Sequence, residues 1–170
     1  MIRHIKIFFY PPVLTYSYNK PKEIVIQKIS EVLSKKTTFP GSHDIAGMFL
    51  TGNMFYISLV GPMFHAKFMF VGKFIFGSTL VGDIIESRRG ITEIKTKARP
   101  SFGSYFLFFI AIISGVAYLY KFIQTGSAVF LFWSLVWLFF GTALSIGLSN
   151  VGISSIRKRY KMYIDKDLKA

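Results

Sequence analysis

The sequence predicts an α+β membrane protein, in which an antiparallel sheet with one covering helix precedes an antiparallel transmembrane hairpin of two helices. Three observations predict this class. Residues 102–123 and 127–153 form two long apolar runs that contain one charge, Lys121. Residues 19–36 repeat apolar side chains at helical spacing, and residues 91–99 alternate polar with apolar side chains. The first pattern is typical of a helix and the second of a half-buried strand.

Composition and charge set the domain organisation. The chain has 170 residues and a net charge of +13, and its 52% apolar content excludes a disordered chain. It has no cysteine, which excludes a disulfide scaffold and a thiolate nucleophile. The charge divides into +8 over residues 1–100, +1 over residues 101–155 and +4 over residues 156–170. We expect these zones to be a folded domain, the hairpin and a basic tail.

The start of the domain contains strand-like and helical patterns. Residues 2–10 and 13–18 are rich in aromatic side chains and are expected to be extended. Pro11 and Pro12 lie between them, and because proline is not tolerated in a central strand, we expect an edge, a bend or two short strands here. Residues 19–36 are expected to form the covering helix.

The rest of the first hundred residues alternates strand-like runs with turn residues. Gly52 and Asn53 suit the tight turn of a β-hairpin. Neighbouring runs joined by such turns predict an antiparallel sheet. The expected strands are residues 45–51, 54–60, 64–76, 79–86 and 91–99.

The two apolar runs are expected to cross a membrane. Each exceeds the roughly 20 residues that a helix needs to span about 30 Å of hydrocarbon. Basic residues lie before the first run and after the second, and the positive-inside rule therefore places both termini in the cytoplasm. Candidate lipid headgroup contacts follow the second run: Arg157, Lys158, Arg159 and Lys161. Candidate anchors at the opposite membrane surface lie near the connecting loop: Tyr118, Tyr120, Lys121 and Trp133.

Small residues recur four positions apart in both runs. Such spacing lets two helices approach closely. The candidate helix-packing residues are Ala111, Gly115, Gly141, Ala143, Ser145 and Gly147. They either pack the hairpin on itself or dock it against another membrane protein or a second copy of the chain.

The segment from Gly82 to Ser101 reads GDIIESRRGITEIKTKARPS and leads directly into the first apolar run. It resembles a group of small bacterial membrane proteins of unknown function. These have a strand-rich N-terminal domain, a turn followed by Thr-x-Ile, and Arg-Pro-Ser before a two-helix hairpin. The resemblance supports the layout and implies a bacterial inner membrane, but it implies no activity.

Few side chains suit catalysis. His43 and Asp44 are adjacent, but neighbours in a strand point to opposite faces and form a poor acid–base pair. His65 lies among aromatic residues, and Asp83 and Glu86 are more typical of a solvated strand end than of a cation site. The sequence has no zinc-binding spacing and no phosphate-binding glycine loop. We therefore expect no catalytic, cofactor-binding or metal-binding residues.

These observations favour a non-catalytic accessory or scaffold subunit that assembles with other membrane proteins. Membrane lipids and a membrane-protein partner or a second copy are the expected contacts. No nucleic-acid partner is expected, because membrane topology explains the basic cluster that adjoins the second run. The alternative is a binder of lipid or another small hydrophobic ligand through the N-terminal domain, and an enzyme comes third.

Overall fold

The computed structural model describes residues 2–34, 45–59, 78–87 and 90–169. The elements are α1 (Ile2–Phe9), β1 (Val13–Tyr18), α2 (Lys22–Ser34), β2 (Ile45–Phe49), β3 (Met54–Leu59), β4 (Thr79–Glu86), β5 (Thr92–Arg99), α3 (Phe102–Thr125) and α4 (Ala128–Lys169). Helix α4 is continuous over 42 residues and includes two π-helical segments, Val136–Gly141 and Lys161–Asp165. The predicted strand over residues 64–76 lies outside the described residues.

The strands form one antiparallel sheet in the order β1-β5-β4-β3-β2. This confirms the predicted fold class. On β5, Ile94 and Ala98 are buried while Lys95 and Lys97 are exposed, as the sequence alternation predicts. Strand β1 lies at one edge of the sheet, which is one of the alternatives that the two preceding prolines indicated.

Helix α2 covers one face of this sheet, as expected from its apolar spacing. Val25, Ile29 and Val32 repeat every three to four residues and are buried against the strands. At the centre of the same face, the ring of Phe55 lies directly over Gly82 on the neighbouring strand. A side chain at position 82 would occupy the space of that ring, so the glycine makes this packing possible.

The prediction that residues 2–10 are extended is wrong, because the structure places helix α1 there. Aromatic residues favour strands only where a sheet surface is available to them. Here Phe8 is fully buried, with its ring 4.9 Å from that of Tyr105 and 5.3 Å from that of Phe108. Packing on α3 therefore overrides the strand preference of this segment.

The basic tail continues α4 as far as Lys169. Its apolar side chains enter the core of the sheet domain, on the same face as α2. Two helices therefore cover the sheet, and the second comes from beyond the apolar runs. The tail and adjoining residues that join the core are Ile153, Ile156, Tyr160, Ile164 and Leu168.

Helices α3 and α4 pack against each other as two long apolar helices. Ser101 caps α3 by accepting a hydrogen bond from the backbone N–H of Ser104 at 3.1 Å. Gly126, with a φ of 68°, ends α3, as a left-handed glycine commonly does. Both helices are long and apolar enough to cross a membrane, and only 11% of the 18-residue apolar window in each is buried. This exposure is unlike that of a soluble protein's core helix. We call α3 and residues 128–150 of α4 the apolar hairpin.

Candidate functional site at the basic end of the second long helix

Helix α4 leaves the apolar hairpin near Asn150. The helix rises about 33 Å between Ala128 and Asn150, which is close to the roughly 30 Å thickness of a bilayer's hydrocarbon. From Ile153 onward, one face of α4 is buried in the sheet domain. The opposite face carries basic side chains, so this part of the helix joins the core to a charged surface.

A buried polar cluster fixes the end of α4 to β1. The Tyr18 hydroxyl donates a hydrogen bond to Asp165 Oδ1 at 2.8 Å, and its oxygen lies 3.4 Å from the Tyr160 hydroxyl. Lys169 Nζ donates to Asp165 Oδ2 at 3.0 Å. Burial raises the pKa of Tyr18 and that of Tyr160, so both remain neutral hydroxyls at physiological pH. The cluster is therefore suited to anchoring the helix.

A groove of about 490 Å³ lies between α1, β1 and α4. Ile7, Leu14 and Ile153 give its apolar lining. Arg157, Lys158 and Lys161 supply positive charge. The described lining contains three cations and no carboxylate, and its remaining residues are Asn150 and Ser154.

Arg157 is the most constrained cation of the groove. Its Nη2 donates a hydrogen bond to the Pro12 carbonyl oxygen at 2.8 Å. Partial burial lowers the pKa of the guanidinium, because desolvation disfavours the charged form. An arginine remains charged at physiological pH nonetheless. The groove thus holds a fixed, partly desolvated positive charge beside two lysines.

Helix α1 forms one wall of the groove and is attached to α3. The Tyr105 hydroxyl donates a hydrogen bond to the Phe8 carbonyl oxygen at 3.1 Å. Together with the ring contacts of Phe8, this bond holds α1 beside the first turn of α3. The wall is therefore connected to the apolar hairpin on one side and, through Pro11 and Pro12, to β1 on the other.

The structure brings together three of the four predicted headgroup contacts. Arg157, Lys158 and Lys161 line the groove, whereas Arg159 is half-buried and is not part of that lining. This division follows from helix geometry, since successive residues are rotated by about 100°.

The predicted helix-packing residues divide between two faces. Ala111, Gly115 and Ser145 are buried, and a Cβ built on Gly141 would lie 2.8 Å from the Ala111 Cβ. The apolar hairpin is also joined by the Ser134 hydroxyl, which donates to the Gly115 carbonyl oxygen at 2.8 Å. Two further members of the predicted set, Ala143 and Gly147, are exposed on the outer face of α4.

The predicted interface anchors lie at the loop end of the apolar hairpin. Lys121 Nζ is 5.7 Å from the centroid of the Phe130 ring, and the Tyr118 ring stacks on the same ring at 6.4 Å. Tyr120 and Trp133 are exposed. An aromatic side chain that is exposed at the end of an apolar helix suits the polar boundary of a membrane.

The acidic residues considered for cation binding do not form a cluster. Asp83 lies opposite Lys95 on β5, and Glu86 is exposed at the end of β4. Within the described ranges, no group of three or more His, Cys, Asp or Glu side chains could hold a metal ion. His43, Asp44 and His65 lie outside those ranges.

The role of α1 and the buried face of the tail were not predicted from the sequence. Ile7, Leu14 and Asn150 line the groove without having been singled out. The spacing of Ile153, Ile156, Tyr160, Ile164 and Leu168, three or four residues apart, is the signal that predicts a buried helical face.

No family model matches this chain, and neither a curated protein nor a solved structure matches it. The structure supports the layout that the resemblance of residues 82–101 implied, namely an antiparallel sheet domain followed by two long apolar helices. No family is identified.

Proposed function

We propose that the protein is a non-catalytic accessory or scaffold subunit that assembles with another membrane protein. In this proposal, the apolar hairpin crosses the bacterial inner membrane, and the sheet domain and both termini lie in the cytoplasm. The observation that carries the proposal is the small-residue surface that α4 leaves exposed at Ala143 and Gly147.

This surface differs from the one that packs the hairpin. Gly115 and Gly141 are placed where an added Cβ would collide with the facing helix. A Cβ on Gly147 would meet nothing within 4 Å. In lipid, close backbone approach at small residues is a main source of helix association, because apolar side chains gain little by leaving lipid tails. Ala143 and Gly147 therefore suit a further helix.

The continuity of α4 supports a scaffolding role. The same helix contributes Gly147 to the outer face of the apolar hairpin and Tyr160 to the core of the sheet domain. A partner helix on the hairpin would consequently be held in a fixed relation to the domain.

Co-purification in mild detergent tests this assembly. We expect the wild-type protein to retain a defined membrane-protein partner, and Gly147→Leu to lose it. Ala117→Leu is the matched control, because Ala117 is an exposed small residue on α3. If the purified complex contains only this chain, the partner is a second copy of it. Free monomers in all three preparations would show that the proposal is wrong.

The orientation has its own test, since the chain has no cysteine to interfere with labelling. Gln124→Cys lies beside the loop of the apolar hairpin, and Lys166→Cys lies near the end of α4; both positions are exposed. In intact cells, a membrane-impermeant maleimide should label only the first. Labelling of only the second would reverse the orientation.

The alternative function, binding of lipid or another small hydrophobic ligand, is supported by the groove. Its apolar residues Ile7, Leu14 and Ile153 lie beside three cations, so one ligand could contact both kinds of side chain.

A further inference from the structure

We propose that the groove between α1, β1 and α4 binds one anionic phospholipid from the cytoplasmic leaflet. Its phosphate would lie against Arg157, Lys158 and Lys161, and an acyl chain would follow Ile7, Leu14 and Ile153. The inference goes beyond the scaffold role, and it rests on the membrane location within that proposal.

The charge of the groove selects an anion. Three cations and no carboxylate are present in the described lining. Arginine and lysine bind phosphate through charge-assisted hydrogen bonds. Because Arg157 is held by the Pro12 carbonyl and is partly buried, it presents a pre-positioned charge. An exposed lysine cluster alone would lack this constraint.

The order of residues along α4 matches the order of groups in a lipid. The groove follows one face of the helix from Asn150 to Lys161, a rise of about 17 Å. Asn150 and Ile153 lie near the level where α4 leaves the apolar hairpin, and the three cations follow farther from it. A phospholipid at a bilayer surface likewise places its acyl chains inward and its phosphate outward. A free phosphate would use only the outer part of this surface.

The walls of the groove are built from three fixed elements. Helix α1 is held by the hydrogen bond from Tyr105 to Phe8, and α4 is held by its buried face. Leu14 lies on β1, which is paired with β5 along its length. A preformed site of this kind costs little reorganisation when it is occupied. Its volume, about 490 Å³, lies in the range typical of small-molecule sites.

Native mass spectrometry of the full chain tests the proposal. The probes are phosphatidylglycerol and phosphatidylcholine with identical acyl chains, added to the protein in mild detergent. We expect one phosphatidylglycerol to be retained per chain, at least tenfold more tightly than phosphatidylcholine. The double variant Lys158→Gln and Lys161→Gln should weaken this retention at least tenfold, because both lysines are exposed and neither belongs to the core.

The control removes the same charge elsewhere. Lys95→Gln with Lys166→Gln changes two exposed lysines outside the groove and should leave retention unchanged. Leu14→Gln should weaken retention of the lipid through the acyl contact. Equal retention of both lipids, or equal losses in the two double variants, would overturn the site. Displacement of the lipid by millimolar glycerol phosphate would overturn the assignment to a lipid in favour of a soluble phosphate.

The membrane location is checked separately by carbonate extraction of membranes that contain each variant. A chain that stays in the membrane but shows no lipid preference contradicts the groove proposal alone. A wild-type chain that is extracted contradicts the membrane location on which the proposal rests.

Discussion

Replacing Gly115 by alanine should destabilise the apolar hairpin, although alanine is the better helix former. A Cβ at this position would lie 2.6 Å from Leu138 Cδ2 and 3.3 Å from the Leu138 backbone nitrogen. Favourable carbon contacts lie at about 3.5–4.0 Å, so either Leu138 or the helix must move. Overpacking of this kind costs about 1–3 kcal/mol. The shift would also disturb the hydrogen bond that Ser134 donates to the Gly115 carbonyl.

Gly147→Ala is the matched control in the same hairpin. A Cβ there meets nothing within 4 Å, so the substitution should be neutral or stabilise the helix by up to about 1 kcal/mol. Gly115→Ala should therefore be less stable than Gly147→Ala. For a chain of this size, 1 kcal/mol shifts the thermal midpoint by about 2–4 °C. Gly115→Ala should accordingly lower the midpoint by up to about 12 °C, since the gain in helix propensity offsets part of the packing cost.

Thermal unfolding of the purified protein in one detergent measures both variants. Trp133 and Trp137 lie on α4 within the hairpin, so their fluorescence reports on the affected region. If Gly115→Ala unfolds at the same temperature as Gly147→Ala, or higher, the close packing of α3 on α4 at Leu138 is refuted.

Three further predictions concern the core, the hydroxyl groups of α4 and pH. Tyr160→Ala should lower the free energy of unfolding by about 3–5 kcal/mol, because this ring is fully buried. Met162→Ala, on the exposed side of α4, should lower it much less. Equal denaturation midpoints for the two variants would contradict the burial of the Tyr160 face of α4. Ser134→Ala should lower the thermal midpoint by losing a buried hydrogen bond, worth about 1 kcal/mol. Ser149→Ala should leave the thermal midpoint unchanged, since the buried Ser149 hydroxyl has no hydrogen-bond partner among the described residues. A lower midpoint for Ser149→Ala than for Ser134→Ala would contradict this prediction. Burial raises the pKa of Tyr18 above 10.0, so its contribution to stability is present below pH 10 and is lost as the pH rises further. Between about pH 8 and about pH 11, the thermal midpoint should therefore fall less steeply for Tyr18→Phe than for the wild type. Equal slopes for the two proteins would contradict this prediction.

Much of the fold could be predicted because the local patterns agree with the tertiary environment. Strand β4 begins at Thr79 and ends at Glu86, as expected, and the alternating residues of β5 face the core and solvent as expected. The apolar runs predict α3 and the first part of α4, because uncharged segments of this length favour long apolar helices. In each case, one simple periodicity matches the surface that the element covers.

The remaining features depend on contacts between distant parts of the chain. The segment around Phe8 becomes helical where it packs on Tyr105. Ile2, Ile5 and Phe9 recur at helical spacing and are the local signal for this helix, but its packing partner lies far along the chain. The buried face of the tail was obscured by its charge, since basic residues alternate with Tyr160 and Ile164 along one helix. The groove combines α1, β1 and α4, and residues this far apart in sequence carry no shared local signal.

The continuous helix α4 has a consequence for the order of events during synthesis. Ile156, Tyr160 and Leu168 complete the core of the sheet domain, yet they are made after both helices of the apolar hairpin. Until these three residues have been synthesised, the strands expose the part of the sheet face that their side chains will cover. The described strands therefore gain their full cover only after the residues of the apolar hairpin have been made.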